Sequence, residues 1–392
     1  MKYLLGSVMI LLFMESYCQR VTGGDSEKNR ADAFFDKVWK KYRLDGHPGL
    51  FSEHYPRGEK TELDYFQGAN VREKEASFLW PLSGMCSAAN VLIKFPDLKE
   101  KYSSYLDTLA IGLWTYRDSI RKPIGYQAYP AKFEKADRYY DDNALVCIDY
   151  CESFQNTKKA IYSKKAIEVF NFIISGWDGQ LGGGVYWLEG HKDQKPACSN
   201  GMATLAALKL YQTTGNKVYL EWGKRFYDWM HSSLRNPQGI YYNDMKMDGK
   251  PNPTYYTYNT GSMLEASVML YKLTGKTKYL TEAQLLAKNA FNFFSSEISG
   301  RRRLSIDLPW FVTVLFRAYQ ALYEIDKNPE YIKAITYELN EAWQNSMDKY
   351  GLLSAKWLND KQSKEKPKWL LDEACVAELY ARIGLLSMTN KE

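Results

Sequence analysis

Two neighbouring aspartates, Asp141 and Asp142, have the residue type and spacing that most clearly suggest chemistry in this sequence. They follow Tyr139 and Tyr140 and precede a stretch that is apolar on nearly all sides, so they open a buried helix. One carboxylate at such a position is an ordinary helix cap, whereas two adjacent carboxylates repel each other and are costly to bury. Capping and catalysis are therefore both open, and catalysis alone has a use for the second carboxyl group.

Cleavage of a glycosidic bond uses two carboxyl groups, one ionised and one protonated. In the retaining mechanism they stand about 5–5.5 Å apart, which neighbouring side chains can reach, whereas the inverting mechanism needs about 6.5–9.5 Å. The pair therefore predicts a retaining glycoside hydrolase. We assign Asp141, held ionised by the helix N-terminus, as the nucleophile. We assign Asp142, whose pKa its negative neighbour and desolvation should raise, as the general acid and then base.

The elements that must position this pair are helices of two kinds. Six segments are apolar nearly all round and must be inner helices: 77–95, 141–154, 199–211, 259–271, 306–323 and 370–386. Six others are amphipathic and rich in Lys and Glu, as outer helices are: 31–42, 99–116, 158–175, 219–234, 279–296 and 330–348. The two kinds alternate along the chain, and the helix junction at Leu210-Tyr211 recurs at Leu270-Tyr271. This predicts an all-α fold, an (α/α)6 barrel of six inner and six outer helices.

Most of the links that lead into inner helices are long, which predicts one functional rim. They cover 43–76, 117–140, 176–198, 235–258 and 349–369. Polar residues stand where the inner helices begin, among them Asn143, Asn200, Tyr258 and Asn259, so we expect them to face one cleft. Trp187 follows three glycines in one of these loops, where its ring could stack on a sugar.

Composition narrows the possible cofactors and partners. The net charge of +6 is spread along the chain without an aromatic-interleaved basic stripe, so we expect no nucleic acid partner. Six cysteines and four histidines occur without a Cys-x-x-Cys pair, so we expect no metal and no cofactor. We expect a monomer.

The first residues have the pattern of an export signal. Lys2 precedes a short apolar run, which predicts a signal peptide over 1–18 and a single catalytic domain over 19–392. The run is too short for a transmembrane span. The protein should therefore be exported to the periplasm or the cell surface, and lipid attachment through Cys18 is the alternative to simple cleavage.

Several motifs, in order along the chain, resemble glycoside hydrolase family 76, the α-1,6-mannanases. They are Ser77-Phe78-Leu79-Trp80-Pro81, Tyr139-Tyr140-Asp141-Asp142-Asn143-Ala144, Gly182-Gly183-Gly184-Val185-Tyr186-Trp187, Cys198-Ser199-Asn200-Gly201 and Tyr256-Thr257-Tyr258-Asn259-Thr260-Gly261. The resemblance implies an (α/α)6 barrel, endo-acting retaining cleavage of α-mannan, and no metal. It also implies that Asp141 and Asp142 are the nucleophile and the acid/base.

The resemblance also implies a set of substrate-binding residues around the cleft. Trp187, Asn200, Tyr258 and Asn259 match its motif positions, and we add Trp80, Tyr140 and Asn143 from the same motifs. For some of these a structural role is equally open: Trp80 could pack in the core, and Asn200 and Asn259 could cap helices. Leu145, Tyr186 and Thr260 depart from residues common in the family, which leaves subsite preference open.

Two other classes of function fit the same barrel. One is another carbohydrate enzyme, such as an unsaturated-uronide hydrolase, whose aspartates come from separate helices, or a sugar epimerase, which relies on histidines. The other is a non-catalytic glycan-binding lipoprotein, for which capture of a neutral sugar would not require the adjacent Asp141 and Asp142.

Overall fold

The computed structural model describes residues 23–57 and 73–389. The predicted signal peptide over 1–18, with Cys18, lies outside the described residues. None of the described helices has the length and apolarity of a membrane-spanning segment.

Twelve long helices alternate between an outer and an inner layer. The outer helices are α1 (Gly23–Tyr42), α3 (Lys99–Trp114), α5 (Ala160–Ser175), α7 (Lys217–Ser233), α9 (Thr277–Phe294) and α11 (Glu330–Asn345). The inner helices are α2 (Leu79–Leu92), α4 (Tyr140–Thr157), α6 (Ala197–Thr214), α8 (Thr257–Thr274), α10 (Pro309–Asp326) and α13 (Leu370–Thr389). Each inner helix packs against the next, and α13 packs against α2, which closes the ring. The (α/α)6 barrel predicted from the alternation is confirmed.

Small residues let the inner helices approach closely. Every residue of α8 from Thr257 to Leu270 is buried. A Cβ atom on Gly261 would lie 2.9 Å from the Cα of Leu315 in α10, so only glycine allows this contact. The repeated junction noted in the sequence has a matching geometry, because α6 and α8 end on Gly215 and Gly275 with φ of 71° and 69°.

Short strands occur in the loops between helices. They are β1 (His54–Tyr55), β2 (Arg117–Asp118), β3 (Gly125–Tyr126), β4 (Gln194–Pro196), β5 (Asp244–Lys246), β6 (Pro251–Asn252), β7 (Ser295–Ile298), β8 (Arg301–Leu304) and β9 (Lys368–Trp369). β1 pairs with β9, and β4 pairs with β5, so loops that precede different inner helices are joined at the rim. A short helix, α12 (Lys361–Glu365), lies in the last loop.

In four inner helices, the side chain of the fourth residue accepts a hydrogen bond from the backbone of the preceding loop. Asn143 of α4 and Asn200 of α6 each accept a loop N–H at 2.7 Å, from Tyr126 and Val185 respectively. Thr260 of α8 and Glu373 of α13 do the same for the N–H groups of Tyr241 and Leu353, at 3.2 and 3.1 Å. Each of these loop residues also bridges back to the chain just beyond the preceding outer helix. The inner helices therefore fix the conformation of the rim loops.

Candidate active site

A cleft of about 890 Å³ opens at the rim where the inner helices begin. Five of the nine residues predicted for the site line it: Trp80, Asp141, Asp142, Trp187 and Tyr258. The structure therefore brings the carboxylate pair together with three of the predicted aromatic residues.

The other four predicted residues do not line this cleft. Tyr140 is buried, with its ring stacked on Phe172 at 4.9 Å. Asn143 and Asn200 are buried, and their side-chain amides bond to backbone groups. Each amide accepts one loop N–H and donates to two carbonyls. These three side chains lie behind the residues that line the cleft, and the expectation that they contact substrate stays a prediction.

Asn259 lies beneath the cleft as well. It is fully buried, and neither polar atom of its side chain has a hydrogen-bond partner among the described residues. It is the third residue of α8, as Asp142 is of α4, so the matching positions in the two helices differ in access to the cleft.

Three other residues donate hydrogen bonds to the carboxylate of Asp141. The indole Nε1 of Trp187 donates to Oδ2 at 3.0 Å, and the backbone N–H of Asp142 donates to Oδ1 at 3.0 Å. The thiol of Cys198 is the third donor. Burial raises the pKa of Asp141, and the three donors oppose that rise because they stabilise the charged form.

Asp142 has no such support. No described residue donates a hydrogen bond to its carboxyl group, and its pKa is raised well above the ordinary value by burial and then by the charge of Asp141. When the pair holds one proton, that proton belongs on Asp142, because only Asp141 has donors that stabilise a negative charge.

The loop that carries Trp187 is held at several points. Gly183 and Gly184 have φ of 138° and 82°, and a Cβ atom on Gly184 would lie 2.7 Å from the indole of Trp229. The amide of Asn200 bonds both the N–H and the C=O of Val185. The carbonyl of Trp187 accepts the N–H of Tyr140 at 2.9 Å. The indole is therefore fixed against Asp141 by glycines, a buried amide and a backbone bond.

Aromatic rings form much of the remaining wall. Trp80 meets Trp310 edge to face at 5.2 Å, and Tyr258 stacks on Phe311 at 4.1 Å. All four rings line the cleft, and such rings bind the apolar faces of sugars while their edges tolerate polar groups.

Five residues that line the cleft were not predicted from the sequence: Cys198, Trp310, Phe311, Trp369 and Asp372. A positional signal could have found two of them. The second residue of five inner helices lines the cleft: Trp80, Asp141, Cys198, Tyr258 and Trp310. An alignment of the first residues of the inner helices would have shown that their second positions share this location.

The raised pKa of Asp142 gives a prediction for stability. A carboxyl group whose pKa is higher in the folded than in the unfolded chain destabilises the fold increasingly as pH rises above about 4, its unfolded value. Asp142→Asn removes that effect, so its Tm at pH 8 should exceed that of the wild type by at least about 2 °C. The difference should shrink toward zero as the pH falls to about 4.

Thermal unfolding of both proteins between pH 4 and pH 8 measures this difference. Asp141→Asn is the matched control, and its gain should be smaller because it also loses hydrogen bonds made by the carboxylate. A lower Tm for Asp142→Asn at pH 8 would show that the carboxylate stabilises the fold.

Comparison with known proteins identifies related sequences and structures. The sequence model of glycosyl hydrolase family 76 matches residues 59–382. A family 76 glycoside hydrolase (mannosidase) from Bacteroides thetaiotaomicron superposes with a TM-score of 0.82 at 26% identity, covering 93% of this chain and 100% of that one. A second, from a bovine strain of that species, gives 0.78 at 27% identity, covering 93% of this chain and 78% of that one.

Curated relatives match over a shorter stretch. The mannan endo-1,6-alpha-mannosidase of Candida glabrata is 32% identical over 141 residues, which cover 33% of this chain and 32% of that protein. The matched stretch therefore spans about a third of the length of that relative.

Proposed function

The chain belongs to glycosyl hydrolase family 76, and on that premise we propose that it is an endo-acting, retaining α-1,6-mannanase with Asp141 as nucleophile and Asp142 as acid/base. The observation that carries the assignment is the unequal hydrogen bonding of two adjacent carboxyl groups in one aromatic cleft. The names of the curated relatives, mannan endo-1,6-alpha-mannosidases, support the substrate.

The mechanism follows from the two protonation states. Asp142 gives its proton to the glycosidic oxygen while the Asp141 carboxylate attacks the anomeric carbon, so the C–O bond to the leaving chain breaks as the bond to Asp141 forms. Asp142, now ionised, takes a proton from water, and the water oxygen displaces Asp141 to release the sugar. Two inversions leave the anomeric configuration unchanged.

Trp187 has a positioning role in this scheme. Its indole N–H donates to Asp141 Oδ2, while the backbone N–H of Asp142 donates to Oδ1. Because each oxygen has its own donor, the plane of the carboxylate is fixed. A nucleophile held by neutral donors stays ionised without being neutralised by a cation.

The site also bears on the alternative functions. Among the described residues, His54 is the only histidine that lines the cleft, which disfavours an epimerase that relies on histidines. A glycan-binding lipoprotein would have no use for the paired acids. Export to the periplasm or cell surface, with lipid attachment at Cys18 as an alternative, remains part of the proposal and rests on the sequence of residues 1–18.

Incubation with unbranched α-1,6-mannan tests the function. We expect new reducing ends and a ladder of oligosaccharides early in the reaction, because an endo-acting enzyme cuts within the chain. Binding of the mannan without any new reducing ends over hours would favour the glycan-binding protein, and release of mannose alone would contradict endo action.

A further inference from the structure

Asp372 is a further buried acid of the cleft, and the proposed hydrolysis does not use it. It is the third residue of α13, its residue surface is only 8% exposed, and it lines the same cleft as the catalytic pair. Its Oδ1 atom is buried without a hydrogen-bond partner among the described residues. Leaving such a group unpaired is costly, so the position calls for a partner from outside the chain.

Asp307, another acid of the cleft wall, is a carboxylate whose hydrogen bonds give it a structural role. It accepts the N–H of Thr257 at 2.8 Å, the hydroxyl of Thr257 at 2.9 Å and the N–H of Leu308 at 2.9 Å. Those bonds hold the starts of α8 and α10 together. Asp372 accepts no backbone N–H of the described residues, so capping does not account for it.

Burial also affects the protonation of Asp372. Burial raises its pKa to about 7, while electrostatic interactions with His54 and Lys356 oppose the rise. The carboxyl group is therefore able to accept hydrogen bonds as an anion or to donate one as an acid near neutral pH.

Two aromatic rings of fixed orientation line the same cleft as this acid. Trp369, three residues earlier in the chain, meets Trp80 edge to face at 5.1 Å, and its indole N–H donates to Glu53 at 2.6 Å. Both rings line the cleft. A cleft lined by both a carboxyl group and rigid aromatic rings can bind a sugar, whose hydroxyl groups bond the acid while its carbon face packs on a ring.

The barrel places Asp372 and the catalytic pair on inner helices that are not neighbours. In the ring of inner helices, α2 lies between α4, which carries the catalytic pair, and α13. Resting on the proposed function, we propose that Asp372 and Trp369 form a distal subsite that binds the hydroxyl groups of another mannosyl unit of the same chain. Asp372 would thus determine how strongly the enzyme favours long substrates over short ones.

Kinetics with substrates of increasing length test this subsite. For Asp372→Leu we expect kcat/KM on α-1,6-mannotetraose to fall at least tenfold, mainly through KM, and to fall much less on an aryl α-mannoside that carries one sugar. Asp372→Asn, which keeps one acceptor oxygen, should lose less. Glu365→Gln, an exposed acid of the neighbouring α12, is the matched control and should match the wild type.

Equal losses on all substrates, or wild-type kinetics for Asp372→Leu, would overturn the subsite. Absence of turnover by the wild type on every mannan would instead overturn the proposed function. The subsite could then still be judged by calorimetry with mannotetraose, because at least tenfold weaker binding by Asp372→Leu supports it and unchanged binding refutes it.

Discussion

Asp141→Asn is expected to lower kcat/KM on α-1,6-mannan by at least about 10⁴-fold, which corresponds to about 5.5 kcal/mol of lost transition-state stabilisation. Asparagine keeps the size of the side chain but cannot form the ester with the anomeric carbon. The loss should be as large on an activated aryl α-mannoside, because a better leaving group does not replace a missing nucleophile.

Asp142→Asn should behave differently on the two substrates. On mannan, where the leaving hydroxyl group needs a proton, we expect a loss of about 10³-fold or more. On a dinitrophenyl α-mannoside, whose leaving group needs no proton, the first step should be largely spared and hydrolysis of the intermediate should limit the rate. Added azide should then accelerate turnover, because it attacks the intermediate without a general base.

The configuration of the azide product separates the two roles. With Asp142→Asn the mannosyl azide should keep the α configuration, because azide replaces water after Asp141 has reacted. With Asp141→Asn, any azide product should be β, because azide attacks in place of the missing carboxylate. The reverse pattern would exchange the two assignments.

Asn200→Ala is expected to destabilise the protein by about 3 kcal/mol and to reduce kcat by about tenfold or more. The substitution leaves the N–H and C=O of Val185 and the C=O of Pro196 without their buried partner. The same loop carries Trp187, so its loosening should also misplace the donor to Asp141.

Denaturant unfolding and steady-state kinetics on one preparation measure both effects. Asn345→Ala is the matched control, since Asn345 is exposed at the end of α11, and its stability should stay within about 0.5 kcal/mol of the wild type. A raised KM with unchanged stability for Asn200→Ala would instead indicate the substrate contact that the sequence suggested.

Asp142 and Asn200 differ in whether their roles could be predicted from the sequence. The barrel could be predicted because fully apolar and amphipathic helices alternate, and the pair Asp141-Asp142 stood out because two adjacent carboxylates are too costly for a cap. The use of Asn200 could not be predicted, since its partner Val185 lies in an irregular loop whose path depends on glycines with positive φ.

Asp372 was missed for a related reason. It sits in the first turn of a helix next to Glu373, where acidic residues are common because of the helix dipole. Only the structure distinguishes the two, since Glu373 accepts the N–H of Leu353 whereas Asp372 faces the cleft without a partner among the described residues.

The most direct test of the central claim is to identify the residue that becomes covalently bound to the sugar. A fluorinated mannosyl fluoride, which forms the glycosyl-enzyme faster than water breaks it down, should add one fluoromannosyl group to the protein. Peptide mass spectrometry should place that group on Asp141. A group on Asp142, or turnover to a β product without any adduct, would contradict the account.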